Sequence, residues 1–321
     1  GLPGGEKQRL LKEMVDYGKK QNIFIFFFFA QGVNWRKRRI TGYVWTGKQW
    51  RKGLFLFPDI IYNRIRFRNI ESQARVKQLL RQFERDPSIY LFNSRFLNKW
   101  EVYKALRIKK STAKWLPETV RFNHKSLTTM VKKYPAVFLK YSYGSLGKGI
   151  IKVKRLSDNQ FAYAVAKKGG SKWKKCSSPD TLYRQLRNLA GNAYLVQRGI
   201  DLARYNGQIF DLRTQFQKNG VGEWVLTGVA VRVAGKNRFV THIPNGGRAA
   251  SYNDVMSEVF GSTSLTRRQV DEQLEQIRSI VPVVLEKELR LSLAILSLDI
   301  GVDINRPDRK STRLNSSHIT I

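Results

Sequence analysis

Apolar positions in this 321-residue chain recur at two spacings, and the switches between them mark out the elements. Residues 6–20 set Leu10, Leu11, Met14 and Val15 on one face at helical spacing. The run IFIFFFFA at 23–30 is apolar throughout and predicts a central strand. Short runs at 41–45, 54–57 and 60–62 predict further strands, with turns at 46–48 and 58–59. Ser72 is placed to cap a helix over 73–85, where Val76, Leu79, Leu80 and Phe83 share a face and Pro87 follows the end. Residues 1–93 therefore read as a small α/β lobe.

A second unit occupies 94–307. Asn98 opens an amphipathic helix (NKWEVYKAL), another covers 127–133, and Ser178-Pro179 opens a third as N-cap and first-turn proline. Strand-like runs at 137–139, 150–153, 160–165, 194–197, 210–217, 224–233, 239–243 and 294–302 predict a largely antiparallel sheet. A helical period runs over 265–289, which Pro282 is expected to kink or divide. The fold class is mixed α/β (α+β).

Composition narrows the partners. A hydrophobic content of 42% is enough for a sizeable core. The formal charge of +35, from 59 Lys+Arg against 24 Asp+Glu, is scattered through every segment and favours anionic substrates, acidic surfaces or polyanions. No zinc-finger spacing or RNA-binding sheet motif accompanies it, so no specific nucleic acid is expected. The single Cys176 excludes an internal disulfide and a cysteine metal cage, and fits a reducing, cytoplasmic compartment. The apolar run at 23–30 is far shorter than the ~20 residues a bilayer crossing needs, so no membrane span is expected. Gly1 is not an initiator methionine, which suggests a start inside a longer protein.

The other end breaks the pattern. DRKSTRLNSSHITI at 308–321 has no hydrophobic period, and a nucleotide string resembling a sequencing adapter with its index encodes it codon by codon. It is read as an artefact and set aside, which leaves only His124 and His242, too few for a histidine metal site. On this reading the sheet edge beside 294–302 is left unpaired.

The stretch VFLKYSYGSLGKGI at 137–150 carries the chemistry. A buried strand ends at Lys140, and Gly144, Gly147 and Gly149 then let backbone amides approach an anion closely before a second strand resumes. A Walker loop needs Ser or Thr after its Gly-Lys pair, and a dinucleotide fingerprint needs a helix; neither occurs here. Loop chemistry alone leaves a basic hairpin turn open. Other strands set Gln197, Asp211, Arg213, Arg232 and Asp299 beside apolar runs, where each alone is ordinarily solvated or ion-paired.

Together NSRFLNKWEVYKAL, VFLKYSYGSLGKGI, YLVQRGIDLARYNGQIFDLR, GVAVRVAGKNRFVTHIPNGG and LSLAILSLDIGVD resemble the spore-coat-associated YheC/YheD branch of the ATP-grasp superfamily, over most of 22–305. That resemblance implies two lobes clamping ATP. It makes Lys99 and Lys140 the two nucleotide lysines, and Gly144, Ser145, Leu146, Gly147, Lys148 and Gly149 a phosphate lid. Gln197, Arg198, Gly199 and Ile200 would form the hinge at the adenine edge, Asp201 would reach the ribose, and Asn245 and Gly246 would face phosphate. Arg213 and Arg232 would stabilise the transferring phosphoryl group or an acyl phosphate. Asp299 would bind magnesium. The family's Glu-x-Asn magnesium pair has no counterpart, since no glutamate follows Asp303, and the sequence as it stands is expected to be catalytically weak. The implied function is an ATP- and magnesium-dependent ligase acting through an acyl phosphate on an unknown carboxylate and nucleophile, with anionic coat components as further partners. A non-catalytic nucleotide-binding coat or assembly protein remains the alternative, and polyanion binding without ATP is a third reading.

Overall fold

The computed structural model describes residues 6–65, 67–144, 147–303 and 311–320, with 6, 7 and 311–320 described as backbone only. Ser145 and Leu146 of the glycine-rich loop, and 304–310, lie outside the described residues. The chain forms two compact units, Gly1–Arg95 and Phe96–Ile321.

In the first unit, α1 (Glu6–Lys20) precedes an antiparallel sheet of β1 (Phe27–Asn34), β2 (Arg39–Trp45) and β3 (Trp50–Leu56), in that order. Next come β4 (Ile60–Tyr62), α2 (Arg68–Glu71), α3 (Ala74–Arg85) and β5 (Tyr90–Phe92), with β4 and β5 parallel. Phe83 of α3 centres the core and meets the rings of Phe28, Trp35 and Phe57 edge-on. Two expectations are corrected. The phenylalanine run is not a central strand: β1 starts at Phe27 on a sheet edge, and Ile23 and Phe24 are exposed. Its continuous apolarity arises because both faces carry aromatic neighbours, Phe26 stacking on Phe55 and Phe27 meeting Trp50. Ser72 closes α2 and does not cap α3, because its hydroxyl donates back to the Asn69 carbonyl.

The second unit opens with α4 (Lys99–Ile108) and α5 (Lys110–Ala113). It then builds an antiparallel sheet from β6 (Thr119–Arg121), β7 (Ala136–Tyr141), β8 (Ile151–Arg155), β9 (Phe161–Val165), β10 (Lys174–Cys176) and β11 (Tyr194–Arg198), in the spatial order β10-β9-β8-β7-β11-β6. α6 (His124–Lys133) and α7 (Pro179–Arg187) cover one face, where Leu127, Met130, Leu182 and Leu186 pack on Val137, Leu139, Ile151 and Val153. Strand alternation then sends Phe138, Lys140 and Lys152 to the other face.

A second antiparallel sheet follows: β12 (Arg204–Tyr205), β13 (Gln208–Lys218), β14 (Trp224–Val233), β15 (Arg248–Ser251), β16 (Ile295–Asp303) and β17 (Ser311–Thr320), in the order β15-β14-β13-β16-β17 with β12 on β13. Helices α8 (Tyr252–Phe260) and α9 (Leu265–Leu289) bury Val255, Val270, Leu274 and Ile277 against Phe210, Leu212, Phe216, Leu298 and Ile300. Three further expectations fail here. Residues 239–243 form no strand, since Pro244 and the left-handed Gly246 (φ 90°) turn the chain through a single 3₁₀ turn at Ile243–Asn245. Of the two outcomes expected at Pro282, division fails: α9 runs unbroken over Leu265–Leu289, with buried Val281 and Leu285 holding it in the core across the missing N–H. The edge beside β16 is not left bare, since Ser311–Thr320 pairs with it.

Candidate functional site

Alternation along β13 puts Phe210, Leu212 and Phe216 into the core and Asp211 and Arg213 on the opposite face. Register makes these charges cross-strand neighbours, Asp211 opposite Arg232 and Arg213 opposite Asp299. The Arg232 guanidinium donates its Nε to Asp211 Oδ1 at 2.9 Å and its Nη2 to Oδ2 at 2.6 Å. The same Nη2 lies 2.9 Å from Asp299 Oδ2, while Arg213 Nη1 reaches Asp299 Oδ1 at 2.8 Å. Burial opposes the charge on Arg232, but Asp211 and Asp299 outweigh it and raise its pKa. Burial pushes Asp211 up, against the pull of Arg232.

From the other sheet comes Lys140, buried at the end of β7. Its Nζ donates to Gln197 Oε1 at 2.6 Å, and Gln197 Nε2 donates to Thr119 Oγ1 at 2.9 Å. Burial pulls the Lys140 pKa down to about 7, although Asp299 and Asp211 pull it the other way. An ammonium held at that threshold regains its charge when an anion arrives.

Lys99 is the first residue of α4, whose cap binds it to the same loop. Asn98 and Glu101 form a capping box, and Asn98 Oδ1 also accepts the Ser142 hydroxyl at 2.7 Å. The Lys99 amide donates to Ser142 O at 3.2 Å, and its Nζ donates to the Gly144 carbonyl. The positive end of α4 thus sits against the start of the glycine-rich loop.

Gly147 and Gly149 are left-handed, at φ 70° and 69°. A Cβ on Gly147 would stand 2.7 Å from Asn245 Nδ2 and 2.8 Å from the His242 ring, so only glycine fits this approach. Asn245 Nδ2 donates to the Gly147 carbonyl at 3.3 Å. His242 Nε2 lies 3.9 Å from Asp299 Oδ2. Burial first, then Arg232, push the His242 pKa down to about 4; Lys140 and Arg213 add to this while Asp299 opposes it, so the imidazole is neutral at pH 7. Lys148 is exposed.

At the hinge positions, the Arg198 amide donates to Glu118 O and the Gly199 amide to Ala136 O, both at 2.8 Å. The Arg198 guanidinium lies over the Tyr134 ring, Ile200 is half-buried, and Asp201 is exposed, where it attracts Lys152. Lys99, Lys140, Gly144, Gly147, Asn245, Arg213, Arg232 and Asp299 therefore share one neighbourhood, while Lys148 and Asp201 are exposed.

Sequence reasoning missed His242, although it stands three residues before Asn245, and gave Asp211 no role. It read Asn98 only as a helix start. Thr119 carried no signal, because its pairing with Gln197 spans 78 residues.

Magnesium prefers a shell of several oxygens. Among the described residues no group of three or more His, Cys, Asp or Glu could hold a metal, and Asp299 is engaged by two guanidinium groups. The described residues do not by themselves complete a magnesium site.

The profile of the YheC/D like ATP-grasp family matches residues 88–307. The endospore coat-associated protein YheD of Bacillus subtilis (strain 168) is 25% identical over 317 residues, 94% of this chain and 66% of YheD. YheC of the same organism is 23% identical over 278 residues, 82% of this chain and 74% of YheC. The chain thus spans just under two thirds of YheD. Among solved structures, the D-Ala:D-Ser ligase VanG from Enterococcus faecalis superposes with a TM-score of 0.46 at 14% identity, covering 97% of this chain and 74% of that one. With more than half of its length matched by the family profile, the chain belongs to the YheC/D like ATP-grasp family.

Proposed function

We propose that this protein binds ATP between the two sheets of its second unit and, as part of a full-length ligase, uses it to join a carboxylate to an amine or similar nucleophile. One observation carries the reading: the glycine-rich loop, held by Lys99 at its Gly144 carbonyl and by Asn245 at its Gly147 carbonyl, seats Gly147 against His242, whose Nε2 lies 3.9 Å from Asp299 Oδ2 of the other sheet. Lys99 and Lys140 would neutralise phosphate charge, and Gly147 with Asn245 would set the loop against the phosphates. In the chemistry, a carboxylate oxygen bonds to the γ-phosphorus as the bond to the β–γ bridging oxygen breaks and ADP departs. The nucleophile then attacks the acyl carbon, phosphate leaves with the electron pair of the broken C–O bond, and the nucleophile's proton passes to solvent. Arg213 and Arg232, permanently charged, suit the oxygens that gain charge in both steps. A magnesium ion, held by Asp299 together with oxygens of the nucleotide, would supply charge neutralisation.

A second reading is a nucleotide-binding structural or assembly protein of the spore coat. The ion pairs of Asp299 with Arg213 and Arg232 favour it, as does the coat association named for YheD and YheC. Calorimetric titration with ATP, and detection of ADP and phosphate released by full-length protein in a pool of carboxylates and amines, test both readings. Tight binding without release selects the structural protein. Unchanged ATP affinity in both Lys99→Met and Lys140→Met removes the cleft assignment altogether.

A further inference from the structure

The β9–β10 hairpin carries a charge density that the nucleotide cleft does not use. Lys167, Lys168, Lys172, Lys174 and Lys175 are all exposed, and no acidic residue occurs between Asp158 and Asp180. Among the described residues none of these five lysines forms an ion pair. Five like charges on one hairpin attract an anion to it.

The hairpin is braced. Arg238, from the connection after β14, donates Nη1 to the Lys167 carbonyl at 2.9 Å and Nη2 to the Lys168 carbonyl at 2.8 Å. Two successive main-chain oxygens held by one planar fork fix the loop in place. A ladder of rings then leads inward. Lys154 Nζ sits 4.7 Å over Trp173, Trp173 lies 6.1 Å from Phe239, Phe239 lies 6.3 Å from Phe138, and Lys140 Nζ sits 5.7 Å over Phe138. Trp173 itself is 42% exposed. Two further features fit an extended chain: β10 is the edge strand of its sheet, and beside it a hollow of about 390 Å³ is lined by Tyr163, Lys174, Lys175, Gln185, Asn188 and Leu189.

We propose that the β9–β10 hairpin docks an extended acidic polypeptide, which adds a strand along the edge of β10, sets its carboxylates among the five lysines and leads toward Lys140 along the Trp173–Phe239–Phe138 ladder. A polypeptide fits this surface better than a nucleic acid, because only a peptide backbone can pair with the N–H and C=O groups on a strand edge. Such a peptide brings carboxylates to the cleft, so it is also the carboxylate substrate of the proposed ligase. That last step rests on the ligase reading, whereas the docking does not.

The experiment measures fluorescence anisotropy of a labelled oligoglutamate of roughly twelve residues, about 40 Å when extended. The partners are the full chain and the variant Lys172→Glu/Lys174→Glu/Lys175→Glu. The variant is expected to bind at least about ten-fold more weakly, with unchanged ATP affinity. The same oligoglutamate with every backbone nitrogen methylated, equal in charge but unable to donate to a strand on either edge, is expected to lose a similar factor. Equal binding by the methylated peptide, or by an oligothymidylate of matching charge, overturns strand docking in favour of plain polyanion attraction. Undiminished binding by the charge-reversal variant overturns the location. If the peptide docks as expected but full-length protein never releases ADP in its presence, the docking stands and the ligase reading fails.

Discussion

Burying the Lys140 ammonium ties phosphate binding to pH. Its pKa in the folded chain falls from 10.5 to about 7. Between those values the unfolded chain holds a proton that the folded chain lacks. Stability from this group therefore rises with pH across the window, and the penalty is complete below pH 7. A bound phosphate pulls the pKa back up, so ATP binding at pH 8 is expected to take up about one proton. Titration calorimetry at pH 8 in two buffers of different ionisation enthalpy reads this directly, and identical heats in both would separate Lys140 from the phosphates. Gly147 makes a steric prediction at the same scale. A methyl there collides with Asn245 and His242 and must also hold φ at 70°. Gly147→Ala is expected to weaken ATP binding at least about ten-fold, because the loop backbone must leave its seat. Gly169→Ala, in open space, is the control and should change nothing. Equal affinities in the two variants would mean that the seat has no part in binding.

The α4 cap connects element stability to the site. Asn98 Oδ1 accepts from the Trp100 and Glu101 amides and from the Ser142 hydroxyl, so one side chain starts the helix and anchors the strand-to-loop junction. Asn98→Ala is expected to cost about 1 kcal/mol in a denaturant melt, as for other lost N-caps. It should also lower ATP affinity, because Lys99 loses its fixed start. Asn98→Asp keeps the acceptor and should restore most of both; a melt that drops while affinity holds would confine the residue to helix stability. This helix was legible in the sequence because its signal is local: a cap, an acid three residues on, and apolar spacing. The β7–β8 hairpin with its glycine loop was legible for the same reason. What could not be read were placements set by distant partners. The phenylalanine run looked central because aromatic residues from β2 and β3, invisible to a one-dimensional pattern, cover both of its faces. The segment 239–243 looked like a strand through Val240 and Thr241. It instead curls so that His242 and Asn245 back the glycine loop, a contact across 98 residues between Asn245 and Gly147. His242 was missed with it, since a lone histidine in a polar turn has no spacing that marks it.

Net charge sets behaviour that no single contact controls. With 59 basic residues against 24 acidic ones, most cations have no acidic partner to meet, and the compact state concentrates their repulsion. Individual ion pairs exist, such as Lys218–Glu286 at 2.7 Å and Arg278–Glu275 at 2.6 Å, but they are scattered and partly exposed, where each contributes about 0–1 kcal/mol. Raising ionic strength from about 0.01 to 0.15 M shortens the screening length from about 30 to 8 Å, which removes long-range repulsion while touching close pairs less. Sodium chloride is therefore expected to raise the melting temperature, by an amount on the order of 5 °C. Sodium phosphate at equal ionic strength should raise it further, because an anion bound in the cleft stabilises the folded chain by mass action. That extra gain belongs to the site and should disappear in Lys140→Met, while the chloride effect, which belongs to the whole molecule, should survive. A melting temperature that falls with chloride would show that local pairs outweigh the field. An extra phosphate gain that persists in Lys140→Met would place the anion on another basic surface, with the β9–β10 hairpin the first to examine.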